Sequence, residues 1–170
     1  MTKLEGMQRL PGTYALILQA EYQQYIQVGR LGQLSARPGI YVYIGSAFGP
    51  GGVRARVRHH VNISERPHWH IDYLRQTAQL KQFWFTHDPL RREHVWADVF
   101  ADTRDVSIPL PGFGASDCTC ISHLYFFQRQ PSLQNFRRRI QAGFPYHESI
   151  NNMVARDSDE LVGKRVSCRA

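Results

Sequence analysis

GTYALILQA (12–20) is apolar, aromatic and β-branched, which predicts a strand. QYIQVGRLG (24–32) alternates well enough for a second. GIYVYIGSA (39–47), where Ile, Val and Tyr crowd together, is the strongest strand pattern in the chain. EYQQ and QLSARPG read as connections, so the three strands are expected to form an antiparallel meander. GPGG (49–52) breaks the pattern. VRARVRHHVNI then sets Val53, Val57 and Val61 on one helical face. Arg54 and Arg58 share a second face, as do Arg56 and His60, each pair at i, i+4 spacing.

A turn at SERP leads to HWHIDYLRQTAQL, where Ile71, Leu74 and Ala78 recur at helical spacing. KQFWFTHD (81–88) reads as an aromatic strand. LRREHVWADVFAD (90–102) reads as a helix with Val95, Trp96 and Val99 on its apolar side. PLPGFGASD (109–117) is a Gly- and Pro-rich loop, and CISHLYFFQ (120–128) a further strand. Beyond it the pattern weakens. Residues 131–170 read as a basic C-terminal extension, a short helix over 133–142 followed by a polar, flexible tail. The sum is an α+β domain over 1–130, a small, mostly antiparallel sheet flanked by helices, with the extension after it.

Composition changes this picture in two ways. At 42% hydrophobic residues the chain can build a sizeable core. No apolar run approaches the roughly eighteen residues of a membrane span, and MTKLEGMQRLPG lacks the apolar segment of a secretory signal. Three cysteines, an odd number, argue against a disulfide framework. A soluble cytoplasmic protein is expected, with no membrane partner. The net charge of +7 is clustered at Arg54, Arg56 and Arg58, and again at Arg137, Arg138 and Arg139, which favours a polyanionic partner, nucleic acid first.

Seven segments, in this order, carry a resemblance: GTYAL, VGRLG, YVYIGSAFGPGG, RVRHH, HWHIDYL, REHVWA and GFGASDCTCISHL. Over residues 10–128 the chain resembles the GIY-YIG nuclease superfamily, in its Uri-type endonuclease branch, much of it catalogued as a domain of unknown function. The resemblance implies a metal-dependent endonuclease that hydrolyses phosphodiester bonds in nucleic acid, DNA more than RNA. The alternative is a binding module on the same fold that cuts weakly or not at all. It maps the two signature elements onto Gly12-Thr13-Tyr14 and Tyr43-Ile44-Gly45, so the adjacent Gly39-Ile40-Tyr41 is a decoy, and it places an extra strand between them at YIQVGRLG. Thr13 departs from the usual Ile, a change expected to alter packing rather than chemistry. The carry-over makes Tyr14, Tyr43, Arg56, His60 and Glu93 catalytic. Arg56 would clamp the phosphate, and His60 would orient or shuttle a proton, with His59 beside it leaving the choice of histidine open. Glu93 would hold one Mg²⁺ or Mn²⁺.

A free tyrosine titrates near pH ~10, so either phenol needs a nearby cation to act as a base, and Arg56 with the metal is expected to provide that field. Contacts to nucleic acid are expected from Ser46, Gly51, Gly52, Arg54, Arg58, His68, His70 and Ser116. The glycines would let backbone amides approach a phosphate at a helix N-terminus, or else simply make the turn. His68, His70 and Asp72 suggest either a metal site or a helix cap with substrate contacts, and the second is favoured. Cys118, Cys120 and His123 supply three zinc donors. The C-x-C spacing is tight and the remaining thiol, Cys168, lies in the tail, so zinc is disfavoured and a structural role for the loop expected. With only the basic tail available to direct it, either a targeting protein partner or a structure-selective substrate is expected.

Overall fold

The computed structural model describes residues 7–155 and the backbone of 161–163. In chain order the elements are β1 (Thr13–Ala20), β2 (Gln24–Val28), β3 (Gly32–Ala36), β4 (Gly39–Ser46), α1 (Gly52–Val61) and α2 (His70–Arg75). They continue with β5 (Gln79–Thr86), α3 (Glu93–Ala101), β6 (Leu124–Phe127), α4 (Leu133–Gly143), β7 (Ile150–Ala155) and β8 (Leu161–Gly163). Six strands form one sheet in the order β6-β4-β1-β5-β7-β8, while β2 and β3 pair by themselves. Every pairing is antiparallel. The class is α+β.

The near-continuous apolar run of β1 follows from its central place, because both of its faces are covered. On one face Tyr14, Leu16 and Leu18, with Tyr43 of β4, pack against Val53 and Val57 of α1, Ile71 and Leu74 of α2, and the β2–β3 hairpin. On the other, Ala15, Ile17, Val42, Ile44 and Trp84 meet Trp96 and Phe100 of α3 and Phe136 and Ile140 of α4. Each large apolar side chain buried this way contributes about 1.5–3 kcal/mol.

Two expectations are corrected. The meander does not form: β1 pairs directly with β4, and residues 24–36 fold into a separate hairpin that turns at Gly29 (φ 48°). The reason is visible in the alternation. Val28, Leu34 and Ala36 are buried while Tyr25, Gln33 and Ser35 are not. A strand pair with one polar face cannot enter a sheet covered on both sides.

The boundary at residue 130 is also wrong for 133–155. Phe136 and Ile140, at i, i+4 spacing on a largely polar helix, are buried in the core, and β7 pairs with β5 from Thr86↔Ile150 to Gln82↔Val154. The arginine cluster is equally committed. Arg137 donates to Ile150 O at 2.9 and 2.5 Å. Arg139 donates to Val99 O, Thr103 Oγ1 and Asp102 Oδ2 at 3.0, 2.8 and 2.9 Å. Of the three, Arg138 alone is exposed. Beyond residue 155, apart from the β8 backbone, the rest of the expected flexible tail, with Cys168, lies outside the described residues. Among the described residues no helix is long and apolar enough to cross a membrane.

Candidate active site

Register places the two tyrosines. Tyr14 stands opposite Gly45 and Leu16 opposite Tyr43, so both phenols point from the same sheet face. Gly45 is required by close approach: a Cβ there would lie 2.3 Å from Tyr14 Cζ and 2.4 Å from its hydroxyl oxygen. Tyr14 stacks on Phe83 at 5.1 Å, and its hydroxyl is 2.9 Å from His60 Nε2. Tyr43 meets the Phe113 ring edge-on at 6.0 Å and the His60 ring at 6.5 Å.

His60 reaches this spot because Val53, Val57 and His60 recur on the buried face of α1. Burial, then repulsion from His59, holds its pKa down at about 3, with Asp72 opposing and Arg75 and Arg56 adding. The imidazole is therefore neutral at pH ~7. Its Nδ1 makes no hydrogen bond among the described residues. Burial raises the Tyr14 phenol well above its usual value, Tyr43 adds to the rise, and Arg56 opposes it. Tyr43 is pushed up to about 12 by burial, again against Arg56. Both phenols thus keep their protons at neutral pH, and the field of Arg56 alone does not make either a base.

Arg56 sits four residues before His60, with its guanidinium carbon 4.4 Å from the Trp69 ring centroid. Glu93 opens α3. It is 8% exposed, and its buried Oε2 makes no hydrogen bond among the described residues. Its position is set by neighbours. Thr13 Oγ1 accepts the Arg92 N–H at 3.1 Å, and Arg92 Nε pairs with Asp88 Oδ2 at 3.0 Å. Asp88 in turn accepts the N–H groups of Leu90 and Glu148 at 2.9 and 3.1 Å. The Thr13 hydroxyl therefore ties β1 to the residue before Glu93, which is more than a packing change. Tyr14, Tyr43, Arg56 and Glu93 all line one solvent-open pocket of about 380 Å³, with Ser46, Arg91 and Trp69 in its wall. His60 stands behind Tyr14.

A family model described as a domain of unknown function, DUF123, matches residues 13–144. The chain belongs to the DUF123 family. No curated protein and no solved structure matches it significantly. The matched stretch contains the whole pocket and also α4, which places that helix within the DUF123 domain rather than after it.

The remaining candidates of the DUF123 domain separate into different places. His59 pairs with Asp72, Nε2 to Oδ1 at 2.7 Å, so the histidine bonded to Tyr14 is His60. Asp72 also accepts the N–H groups of His68 and Trp69 at 3.0 and 2.9 Å, which caps α2. Burial pushes its carboxyl up, but these bonds and the one from His59 outweigh it and hold the pKa below the usual value. His70 Nδ1 accepts the Gly114 N–H at 2.9 Å and pins that loop beside Tyr43. Exposed His68 and Ser116, with Asp117, line an adjoining groove of about 370 Å³. Gly51, Arg54 and Arg58 line another of about 470 Å³, with Arg9 and His59.

Gly52 is a correction. Its N–H is donated to Gly49 O at 3.2 Å, the Val53 N–H goes to Leu10 O at 2.9 Å, and a Cβ on Gly52 would lie 2.1 Å from that same oxygen. These amides are committed within the fold and do not cradle a phosphate. Sequence reasoning missed Arg91, whose Nη1 donates to Ser46 Oγ at 3.4 Å and whose guanidinium covers the Phe48 ring at 4.7 Å. Its signal was available, two positions before Glu93. Asp88, Trp69 and the Thr13 hydroxyl were missed as well, because their roles are long-range bonds.

Proposed function

We propose that this DUF123 domain is a metal-dependent endonuclease of the GIY-YIG type, hydrolysing phosphodiester bonds in nucleic acid, DNA more than RNA. The observation that carries the reading is the convergence of two protonated phenols, a stacked guanidinium and a buried carboxylate with an unpartnered oxygen on one open pocket. A neutral-substrate enzyme has little use for Arg56 and Arg91 in one pocket wall, whereas a phosphodiester needs such donors.

Arg56, its plane held against Trp69, offers a fork of N–H donors to the non-bridging phosphate oxygens. The Tyr43 hydroxyl donates to the same group. Tyr14, with its O–H donated to His60 Nε2 along the 2.9 Å bond, turns an oxygen lone pair to the attacking water and orients it, and the water's proton leaves to solvent through the open pocket. No free phenolate has to exist, which suits two phenols whose pKa values burial has raised. The water oxygen bonds to phosphorus as the bond to the leaving oxygen breaks, and the leaving alkoxide takes a proton from solvent in the open pocket. Glu93 fits a hard cation, since it presents an unpaired oxygen donor at a polar pocket. A Mg²⁺ or Mn²⁺ ion there would neutralise charge on the phosphate and make a bound water more acidic. Arg54 and Arg58, in the neighbouring groove, give flanking phosphates a path. Cytoplasmic action and a targeting partner belong to the same proposal.

The test is a cleavage panel of single-stranded, duplex, flapped and branched DNA and RNA, with Mg²⁺, with Mn²⁺ and with chelator. Cleavage that requires one of the two ions is expected. Binding without cleavage in either ion would assign a nucleic-acid-binding module instead, and neither binding nor cleavage would remove both.

A further inference from the structure

The loop 109–123 carries the thiols that the sequence could not complete into a metal site. In the fold a fourth donor arrives from elsewhere. His94, the second residue of α3, stands with Cys118, Cys120 and His123 so that one ligand atom from each lies within 4.8 Å of all the others. His94 Nδ1 is 2.9 Å from Cys120 Sγ, and Cys118 Sγ is 3.4 Å from His123 Nε2. We propose that these four side chains bind one structural zinc ion. The site stands whether or not the pocket cleaves nucleic acid.

The geometry suits the ion. Zinc holds sulfur at about 2.3 Å and nitrogen at about 2.0–2.1 Å in a tetrahedron, which spaces the four donors about 3.3–3.8 Å apart. The observed spread brackets that range, so small side-chain rotations close the shell. Two thiolates and two neutral imidazoles balance a divalent charge. These soft donors select zinc over the Mg²⁺ or Mn²⁺ that a lone carboxylate such as Glu93 prefers. Four protein ligands fill the coordination sphere, the mark of a structural rather than a catalytic zinc.

The ligands also explain what the ion would hold. His123 is anchored at both backbone ends: its N–H is donated to Phe113 O at 2.8 Å, and its O accepts the Ile44 N–H at 3.0 Å. His94 is exposed at the start of α3, directly after Glu93. Zinc would therefore bolt the 109–123 loop to the first turn of α3, with Glu93 on one side of the bolt and the Gly114–Asp117 wall of the pocket on the other. Cys168 is not needed, because His94 takes the fourth place.

The experiment uses untagged full-length protein, prepared without chelator and dialysed, with metal content read by mass spectrometry and zinc affinity by competition with a chromophoric chelator. Close to one zinc per chain is expected, unmoved by excess Mg²⁺. Replacement by Co²⁺ should give the visible bands of a tetrahedral thiolate site. His94→Ala removes an exposed side chain and should leave the fold intact while weakening zinc binding by at least about 100-fold, and Cys120→Ser should do the same. A preparation that holds no zinc and takes none up overturns the proposal, as do two variants that bind zinc as tightly as the parent, or a Cys118–Cys120 disulfide in the purified protein. Metal content is read without substrate, so a failure to cleave nucleic acid leaves this result unaffected.

Discussion

Replacing Glu93 with Gln changes charge while keeping shape, and the structure allows the outcome to be worked out for two readouts. For stability, two terms oppose one another. The carboxylate sits at the first position of α3, where the helix dipole favours negative charge by about 0.3–1 kcal/mol. Against that, Oε2 is buried without a hydrogen-bond partner among the described residues, and an unsatisfied buried polar group costs about 1–3 kcal/mol. Gln loses the first term, and in the second it replaces a buried charge by a neutral amide that still leaves a polar atom unpaired, which lowers that cost without removing it. The metal-free variant should therefore be as stable as the parent or more so, with a thermal midpoint unchanged or up by about 2–4 °C per kcal/mol gained. For catalysis the direction reverses. Loss of the ion's anchor should lower cleavage at least about 100-fold, on the order of 3 kcal/mol of transition-state stabilisation. Substrate binding should persist, since removing a negative charge does not weaken contact with a polyanion. Arg56→Ala should differ by losing affinity as well as rate. Differential scanning calorimetry in chelator, beside single-turnover cleavage under limiting Mg²⁺, reads both quantities. A strongly destabilised Glu93→Gln would make this residue structural, and one that cuts as fast as the parent would place the metal elsewhere.

Phe136→Ala should be costly, because the ring is 4% exposed and lies 4.6 Å from Phe100, 5.1 Å from Trp96 and 5.6 Å from Trp84. A loss of about 3–5 kcal/mol, or roughly 6–20 °C in thermal midpoint, is expected; a loss under about 1 kcal/mol in a denaturant titration would return 131–155 to the status of an appendage. Stability should also fall on acidification. His60 faces Tyr14, Tyr43, His59, Asp72, Arg75 and Arg56, and its folded pKa of about 3 lies below the unfolded value of ~6.5, so the unfolded chain binds the extra proton between the two. Its contribution is complete above pH ~6.5 and is lost as the pH drops towards ~3, by up to about 1.4 kcal/mol per pH unit. His70 and His147, also held down by burial, act in the same direction. A thermal midpoint that does not move between pH 7 and pH 5 would contradict the buried, neutral state of His60.

Local periodicity was legible in the chain because it depends on neighbours a few positions away. Runs of apolar, β-branched and aromatic residues marked β1 and β4, and the i, i+4 spacing put Arg56 and His60 together on α1. The α+β class followed from those elements. The candidate residues Tyr14, Tyr43, Arg56 and Glu93 came from a resemblance of motifs, and the fold brings all four to one pocket. What the sequence could not give was the consequence of long-range pairing. QLSARP has the composition of a connection, yet it becomes β3 because one face of that hairpin finds α2 and the core to cover it. On α4 the polar residues hide an apolar pair that matters only because Trp84, Trp96 and Phe100 surround it. His59 and His60 are adjacent in sequence and equivalent in type. Burial against Tyr14 or a hydrogen bond with Asp72 separates them. His94 joins Cys118, Cys120 and His123 only because the start of α3 meets the loop before β6. The protonation of the two phenols was decided by depth in the structure, where the cost of desolvating a charge exceeds the pull of one nearby guanidinium.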